Sequence, residues 1–191
     1  WASRCAEGPE PVARMLQTAD IAGLSRVERI EYAGEYPFAK LNYIDPALPV
    51  QVRLEAFSPI VPGDSKMSAM PVAVFMFKLT NNDSEAAVDA AIMTTARNTV
   101  SAWNVGRYNQ TVAEGDVRGV LFSADSPLPT DTAQGTVCLA APAWAGKVSC
   151  HNAWNLKTLD PFSLTLQNVD LAPWDDFSVT GCLSADEWYF L

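Results

Sequence analysis

The chain has 191 residues, which suits one large domain able to bury roughly 70% of its unfolded surface without staples. Hydrophobic residues make up 49% and charged residues 18%, so the chain belongs with globular proteins and outside the disordered class. A net charge of −9 repels phosphate backbones and anionic membrane surfaces, and no nucleic-acid partner is expected.

Taken in chain order, the first predicted element is a short helix over Pro11–Gln17, with Pro11 in its first turn. Strands are then predicted at Val27–Tyr32 and at Ala39–Tyr43, where apolar and polar residues alternate. Val50-Gln51-Val52-Arg53-Leu54-Glu55-Ala56 alternates without exception, the pattern of a strand with one buried and one wet face. Val72–Phe77 is apolar at both parities and reads as a central strand covered on both faces, or as one deep between two sheets. Asn81-Asn82-Asp83-Ser84 and the run Val88–Met93 follow, so strand, turn and strand are expected to form a hairpin. Further strands are predicted at Val117–Ser123, Thr136–Ala140, Lys147–His151, Phe162–Gln167 and Phe177–Thr180. Most prolines fall between these runs, as the loss of a ladder donor requires.

About ten short strands with turns between them argue for an all-β antiparallel sandwich, read as one domain over 1–191. The longest apolar run, Pro71–Phe77, is far below the ~20 residues that span a bilayer. The expectation is a soluble chain, cytoplasmic rather than secreted. The chain opens without an apolar signal core or an initiator Met and closes on Trp188-Tyr189-Phe190-Leu191, a poor free terminus. Both ends therefore look cut from a longer polypeptide, and Trp188, Tyr189 and Phe190 are the candidate interface residues.

Chemistry is sparse. One histidine, His151, would have to serve any Ser-His-Asp triad, and no G-x-S-x-G elbow accompanies it. Of Cys5, Cys138, Cys150 and Cys182, no pair has C-x-x-C spacing, and reduced buried thiols are favoured over disulfides. Cys150 and His151 are adjacent on a strand and point to opposite faces, which argues against a shared zinc. No phosphate-binding or EF-hand motif occurs, and no cofactor or metal is expected. Asp175-Asp176 is the most conspicuous carboxylate pair, but neighbours on a strand diverge, and solvated turn acids are the simpler reading. The sequons at Asn82 and Asn109 carry no weight without a secretory context. Six tryptophans can stack on sugar rings or fill a core or interface, and the second use is favoured. No residue is assigned a catalytic role.

The stretch Glu35-Tyr36-Pro37-Phe38-Ala39-Lys40-Leu41 continues through Tyr43-Ile44-Asp45-Pro46-Ala47-Leu48-Pro49-Val50 and Leu54-Glu55-Ala56-Phe57-Ser58-Pro59 to Pro71-Val72-Ala73-Val74-Phe75. In wording and order it resembles the N-terminal domain of glycoside hydrolase family 116, which includes non-lysosomal glucosylceramidases and microbial β-glucosidases. Arg118-Gly119-Val120-Leu121-Phe122-Ser123 and Trp174-Asp175-Asp176-Phe177 fit as well, so the resemblance runs from about Ala19 to Leu183. It implies a β-sandwich packed on an α-helical toroid, in the same polypeptide or as a nicked partner chain. That toroid would carry the carboxylate nucleophile and acid/base that cleave β-glucosides or glucosyl lipids with retention. No segment here resembles the toroid. The family's glycine-rich opening strands and its closing strands are missing, so the sandwich is expected to be incomplete at both ends. The leading expectation is thus a non-catalytic accessory domain of a β-glucosidase or glucosylceramidase. The alternatives are a free-standing carbohydrate-binding module and a structural β-sandwich.

Overall fold

The structure is a computed structural model. It describes residues 2–4, 12–20, 25–82, 85, 87–101, 106–125, 134–151, 176–183 and 188–190. The strands are β1 (Ala2–Arg4), β2 (Arg29–Glu35), β3 (Phe38–Ile44), β4 (Val50–Phe57), β5 (Val74–Asn81), β6 (Val88–Arg97), β7 (Arg107–Glu114), β8 (Val117–Ala124), β9 (Val137–Pro142), β10 (Lys147–His151), β11 (Asp176–Leu183) and β12 (Trp188–Phe190). One α-helical turn, α1 (Ser65–Ser68), and one 3-10 turn (Ala143–Ala145) are the helical elements among the described residues. Sheet orders are β12-β5-β4-β3-β2, β1-β6-β11-β10 and β7-β8-β9, and the pairs β1–β6, β10–β11, β12–β5, β2–β3, β3–β4, β4–β5, β7–β8 and β8–β9 are antiparallel. The fold is all-β, as the alternating runs require.

The chain divides into two compact units, one of Trp1–Ala90 with Leu183–Leu191, the other of Ala91–Cys182. The first is built on the five-stranded sheet. Its register places Tyr43, Val52 and Leu79 in one row and Leu41, Leu54 and Phe77 in the next, all on one face. Val50, Val52 and Leu54 are buried while Arg53 between them is exposed, so the strict alternation of β4 is realised residue by residue. The opposite face is polar along its middle and carries Phe38, Phe57 and Met76 toward the β2–β3 turn. Asn42, Arg53 and Lys78 lie in register, Arg29 pairs with Glu31 at 2.8 Å, and Lys40 reaches Glu35 at 3.3 Å.

In the second unit β7, β8 and β9 form a meander with Val120 and Phe122 buried at its centre. Gly119 is required there, because a Cβ would collide with the Leu139 carbonyl and with Ala140 on β9. Asn98, fully buried, holds the start of this unit together. Its Nδ2 donates to the carbonyls of Tyr108 (3.1 Å) and Ser123 (3.0 Å) and to Asn109 Oδ1 (3.0 Å), and its Oδ1 accepts from the Val100 amide at 3.0 Å. A buried amide so fully satisfied fixes the approach of β6 to β7 and β8.

Three expectations are corrected. β5 is an interior strand of its sheet but not covered on both faces, since Val74, Met76, Lys78 and Thr80, on the face opposite Phe77 and Leu79, are only half-buried. β5 and β6 do not form a hairpin, because they belong to different sheets. Residues 12–17 are not helical. Met15 instead makes a parallel bridge with Arg26, donating its amide to the Ser25 carbonyl at 2.9 Å and accepting from the Val27 amide at 3.0 Å. Phe162–Gln167 lies outside the described residues.

Candidate docking surface

The two ends of the five-stranded sheet are built differently. At one end, the β3–β4 connection is tied down. Asp45 accepts from the Ala47 amide at 2.8 Å through Oδ1 and from Arg14 Nε at 2.8 Å through Oδ2, and its carbonyl accepts from the Leu48 amide at 3.1 Å. The Asn82 amide closes the same end by donating to the Pro49 carbonyl at 3.0 Å. Val27, Leu48 and Val50 are all buried there.

At the other end lie the β2–β3 turn, whose Tyr36–Pro37 peptide is cis, and the β4–β5 connection 58–73. That connection is long beside the median of about 4–6 residues for a compact domain, and it carries α1 within it. It is exposed along nearly all its length yet carries Ile60, Val61, Met67, Met70 and Val72. The turn contributes Tyr36, 83% exposed, flanked by Tyr32 and Phe38. Phe38 packs on Phe57 across the strands, ring centroids 5.2 Å apart and tilted by 56°, a favourable aromatic geometry. With Phe75, nine of the thirteen exposed large apolar side chains among the described residues sit at this end, and the other four, Tyr108, Val117, Val137 and Trp144, belong to the second unit.

The loop is not loose chain. Asp64 caps α1 by accepting from the Met67 amide at 2.9 Å, and its own amide donates to the Val61 carbonyl at 3.0 Å. Ser68 Oγ donates back to the Val61 carbonyl at 3.1 Å and accepts from the Val61 amide at 3.0 Å. These bonds hold the methionines and valines in a fixed presentation toward solvent.

The residues singled out from sequence are dispersed. Trp188, Tyr189 and Phe190 form β12, in register with Lys78, Phe77 and Met76 of β5, and so are part of the sheet rather than a trailing end. Cys138 is exposed and Cys150 half-buried; both are free thiols, and burial raises the pKa of each. His151 ends β10 and Asp176 begins β11, while Cys5 and Asp175 fall outside the described residues. Among the described residues no group of three or more His, Cys, Asp or Glu is placed to hold a metal ion. No helix of the described residues is long and apolar enough to cross a membrane. Trp144 is 64% exposed and does not fill the core. The sequon asparagines are both engaged, Asn82 Nδ2 with the Leu48 carbonyl at 3.4 Å and Asn109 with Asn98. Sequence reasoning missed the apolar end, although Pro59-Ile60-Val61-Pro62 and Met67-Ser68-Ala69-Met70, apolar yet broken by proline, glycine and serine, were its signal.

Comparison with curated proteins gave no match. The model of the family described as "beta-glucosidase 2, glycosyl-hydrolase family 116 N-term" matches residues 4–188, nearly the whole chain. The chain belongs to the glycosyl-hydrolase family 116 N-terminal domain family.

Proposed function

We propose that residues 1–191 act as one non-catalytic accessory domain that supports a helical catalytic domain hydrolysing β-glucosides or glucosyl lipids. The observation that carries this reading is the family match over residues 4–188. Asp45, Glu31 and Glu35, paired with Arg14, Arg29 and Lys40, brace the sheet or its sealed end. The segment Trp188–Phe190, whose backbone pairs with β5, is kept as a proposed contact with the partner domain.

The test is hydrolysis of an aryl β-glucoside by the chain alone, by the helical catalytic domain alone, and by the two together. The expected result is no turnover from the chain and a gain in activity or thermal resistance of the catalytic domain when the chain is added. Turnover by the chain alone, or a catalytic domain indifferent to it, would overturn the proposal. Titration with gluco-oligosaccharides, followed by tryptophan fluorescence, checks the free-standing binding module; a saturable response would favour that reading instead.

A further inference from the structure

We infer that β2, the outer strand of the five-stranded sheet, is a pairing edge that takes β2 of a second copy of this chain, antiparallel and centred on Tyr32. The inference is independent of the accessory-domain reading above.

β2 is paired to β3 through consecutive residue pairs from Arg29–Ile44 to Glu35–Phe38, with no bulge. It ends the sheet order, so among the described residues no strand lies on its other side. Every residue of β2 but the half-buried Ile30 is exposed. Such an edge offers a further strand a row of backbone donors and acceptors, about 23 Å long at about 3.3 Å per residue. Edges are commonly blunted by a proline, a lysine or a bulge, and Arg29–Glu35 has none of these. What it carries is charge, at Arg29, Glu31 and Glu35.

The order of those charges selects the occupant. A two-fold axis through Tyr32 sets Arg29 of each copy opposite Glu35 of the other, Ile30 opposite Gly34, and Glu31 opposite Ala33. No like charges meet. The smallest slide that keeps every side chain on its own face is two residues, and it opposes Glu31 to Glu31 in one direction and Glu31 to Glu35 in the other. A slide of four residues leaves only the strand ends overlapping. The charges thus favour the full-length register and penalise its neighbours. Arg29, Glu31, Glu35 and Lys40 stand on the polar face, where Arg29 already pairs with Glu31 at 2.8 Å and Lys40 with Glu35 at 3.3 Å. Pairing of the two copies joins these into one alternating row: Glu31, Arg29, then Glu35 and Lys40 of the second copy. On the other face Tyr32, 69% exposed, meets its own counterpart at the axis, an aromatic cross-strand pair. A foreign strand would need this charge order in reverse, whereas a second copy has it by symmetry. One strand-to-strand contact buries little area, so the dimer is weak and concentration-dependent.

Sedimentation velocity at low salt, over a range of concentrations, measures self-association of the intact chain, of Arg29→Glu, of Glu35→Arg and of the two changes together. Circular dichroism establishes that each variant is folded, which the exposure of both side chains permits. The expected result is a monomer–dimer equilibrium, about a tenfold or larger loss of dimer affinity for each single reversal, and recovery in the double reversal, which sets unlike charges opposite each other again. Each single change also breaks a pair within the chain, Arg29 with Glu31 or Glu35 with Lys40, and the double change does not restore those pairs. Recovery therefore reports the contact between copies. A chain that stays monomeric at every concentration overturns the inference. So does a dimer that the single reversals leave intact, or one that the double reversal fails to recover. A monomeric chain whose thermal midpoint rises with a synthetic peptide of alternating threonine and valine would assign the edge to a foreign strand and overturn it equally. None of these outcomes bears on the accessory-domain reading, whose test is the activity of the catalytic domain.

Discussion

Leu79 and Phe75 lie on the same strand and the same face of the five-stranded sheet, four residues apart, and their environments are opposite. Leu79 is 3% exposed, in a row with Tyr43 and Val52 beside the tied-down end; Phe75 is 38% exposed, in a row with Ala39 and Ala56 beside the 58–73 loop. The sheet itself does not distinguish them, since both are apolar and paired in regular register. The difference comes from what the flanking segments do. Residues 12–15 and 45–49 fold back on one end and exchange hydrogen bonds with it, whereas 58–73 spends its hydrogen bonds on itself and leaves its apolar groups outward. One end of the sheet is thus closed by its flanking segments, and the other leaves its apolar groups exposed.

The largest effect that would sharpen this contrast is at Leu79. Leu79→Ala empties a fully packed position and is expected to cost about 3 kcal/mol in urea unfolding. Phe75→Ala removes a larger side chain yet is expected to cost about 1 kcal/mol or less, because much of that ring is already hydrated. Equal losses would mean that the open end is packed as tightly as the sealed one. Next in size is Asp45→Ala. It removes acceptors from Arg14 and from the Ala47 amide in a setting where the carboxylate is almost fully covered, with side-chain exposure of 24% for Arg14 and 7% for Asp45. A loss of about 1–2 kcal/mol is expected. An unchanged unfolding midpoint would show that the 12–15 segment does not seal this end.

The buried face of β4 was legible in the sequence, whereas the 12–15 segment that closes the sealed end was expected as helix and the open end was not foreseen. Alternation reports burial on one face, and Val50, Val52 and Leu54 obey it because nothing but the core asks for their apolarity. Around β5 the apolar residues stand both in the core and on exposed surface, and a sequence cannot separate them; Val72, Phe75 and Met76 therefore read as a doubly covered strand. The Asn81-Asn82 turn signal announced a break correctly but could not say that the chain would change sheets. β7 went unnoticed because Arg107–Glu114 is half-exposed or exposed at every position and so lacks an apolar pattern. α1 escaped because a four-residue turn has no periodicity to read, although Asp64 three residues before Met67 is its cap. The interface was placed at Trp188, Tyr189 and Phe190 on terminal hydrophobicity alone, and only the register of β12 with β5 links those residues to the open end.

At the open end, polar substitutions should leave stability almost unchanged while altering surface chemistry. Met67→Ser with Val72→Ser is expected to move the folding free energy by no more than about 0.5 kcal/mol per site, as at other exposed positions. The same pair should lower the binding of a hydrophobic dye such as ANS to the folded chain, since the dye reads exposed apolar area. A large destabilisation would mean that the loop is a cover for the core, and the contrast between the ends would collapse.

The smallest expected effect lies in the pH dependence of the sealed end. Tyr43 is buried in the row with Val52 and Leu79, and burial pushes its phenol above the ordinary tyrosine value because the phenolate would lose its hydration. In the window between the unfolded and the folded value, the unfolded chain has released this proton and the folded chain still holds it. The unfolded state then binds fewer protons, so stability falls as pH rises. The contribution is complete below the ordinary tyrosine range, about pH 10, and is lost as pH climbs through the raised folded value. Cys138 and Cys150, both raised by burial, add a loss of the same sign beginning in the lower, thiol range. Urea midpoints measured up the alkaline limb should therefore fall for the unaltered chain and fall less steeply above about pH 10 for Tyr43→Phe, which keeps the ring and removes the titrating group. Superimposable profiles would mean that the Tyr43 hydroxyl reaches water, and that the buried row of the sheet is open at its centre as well as at its end.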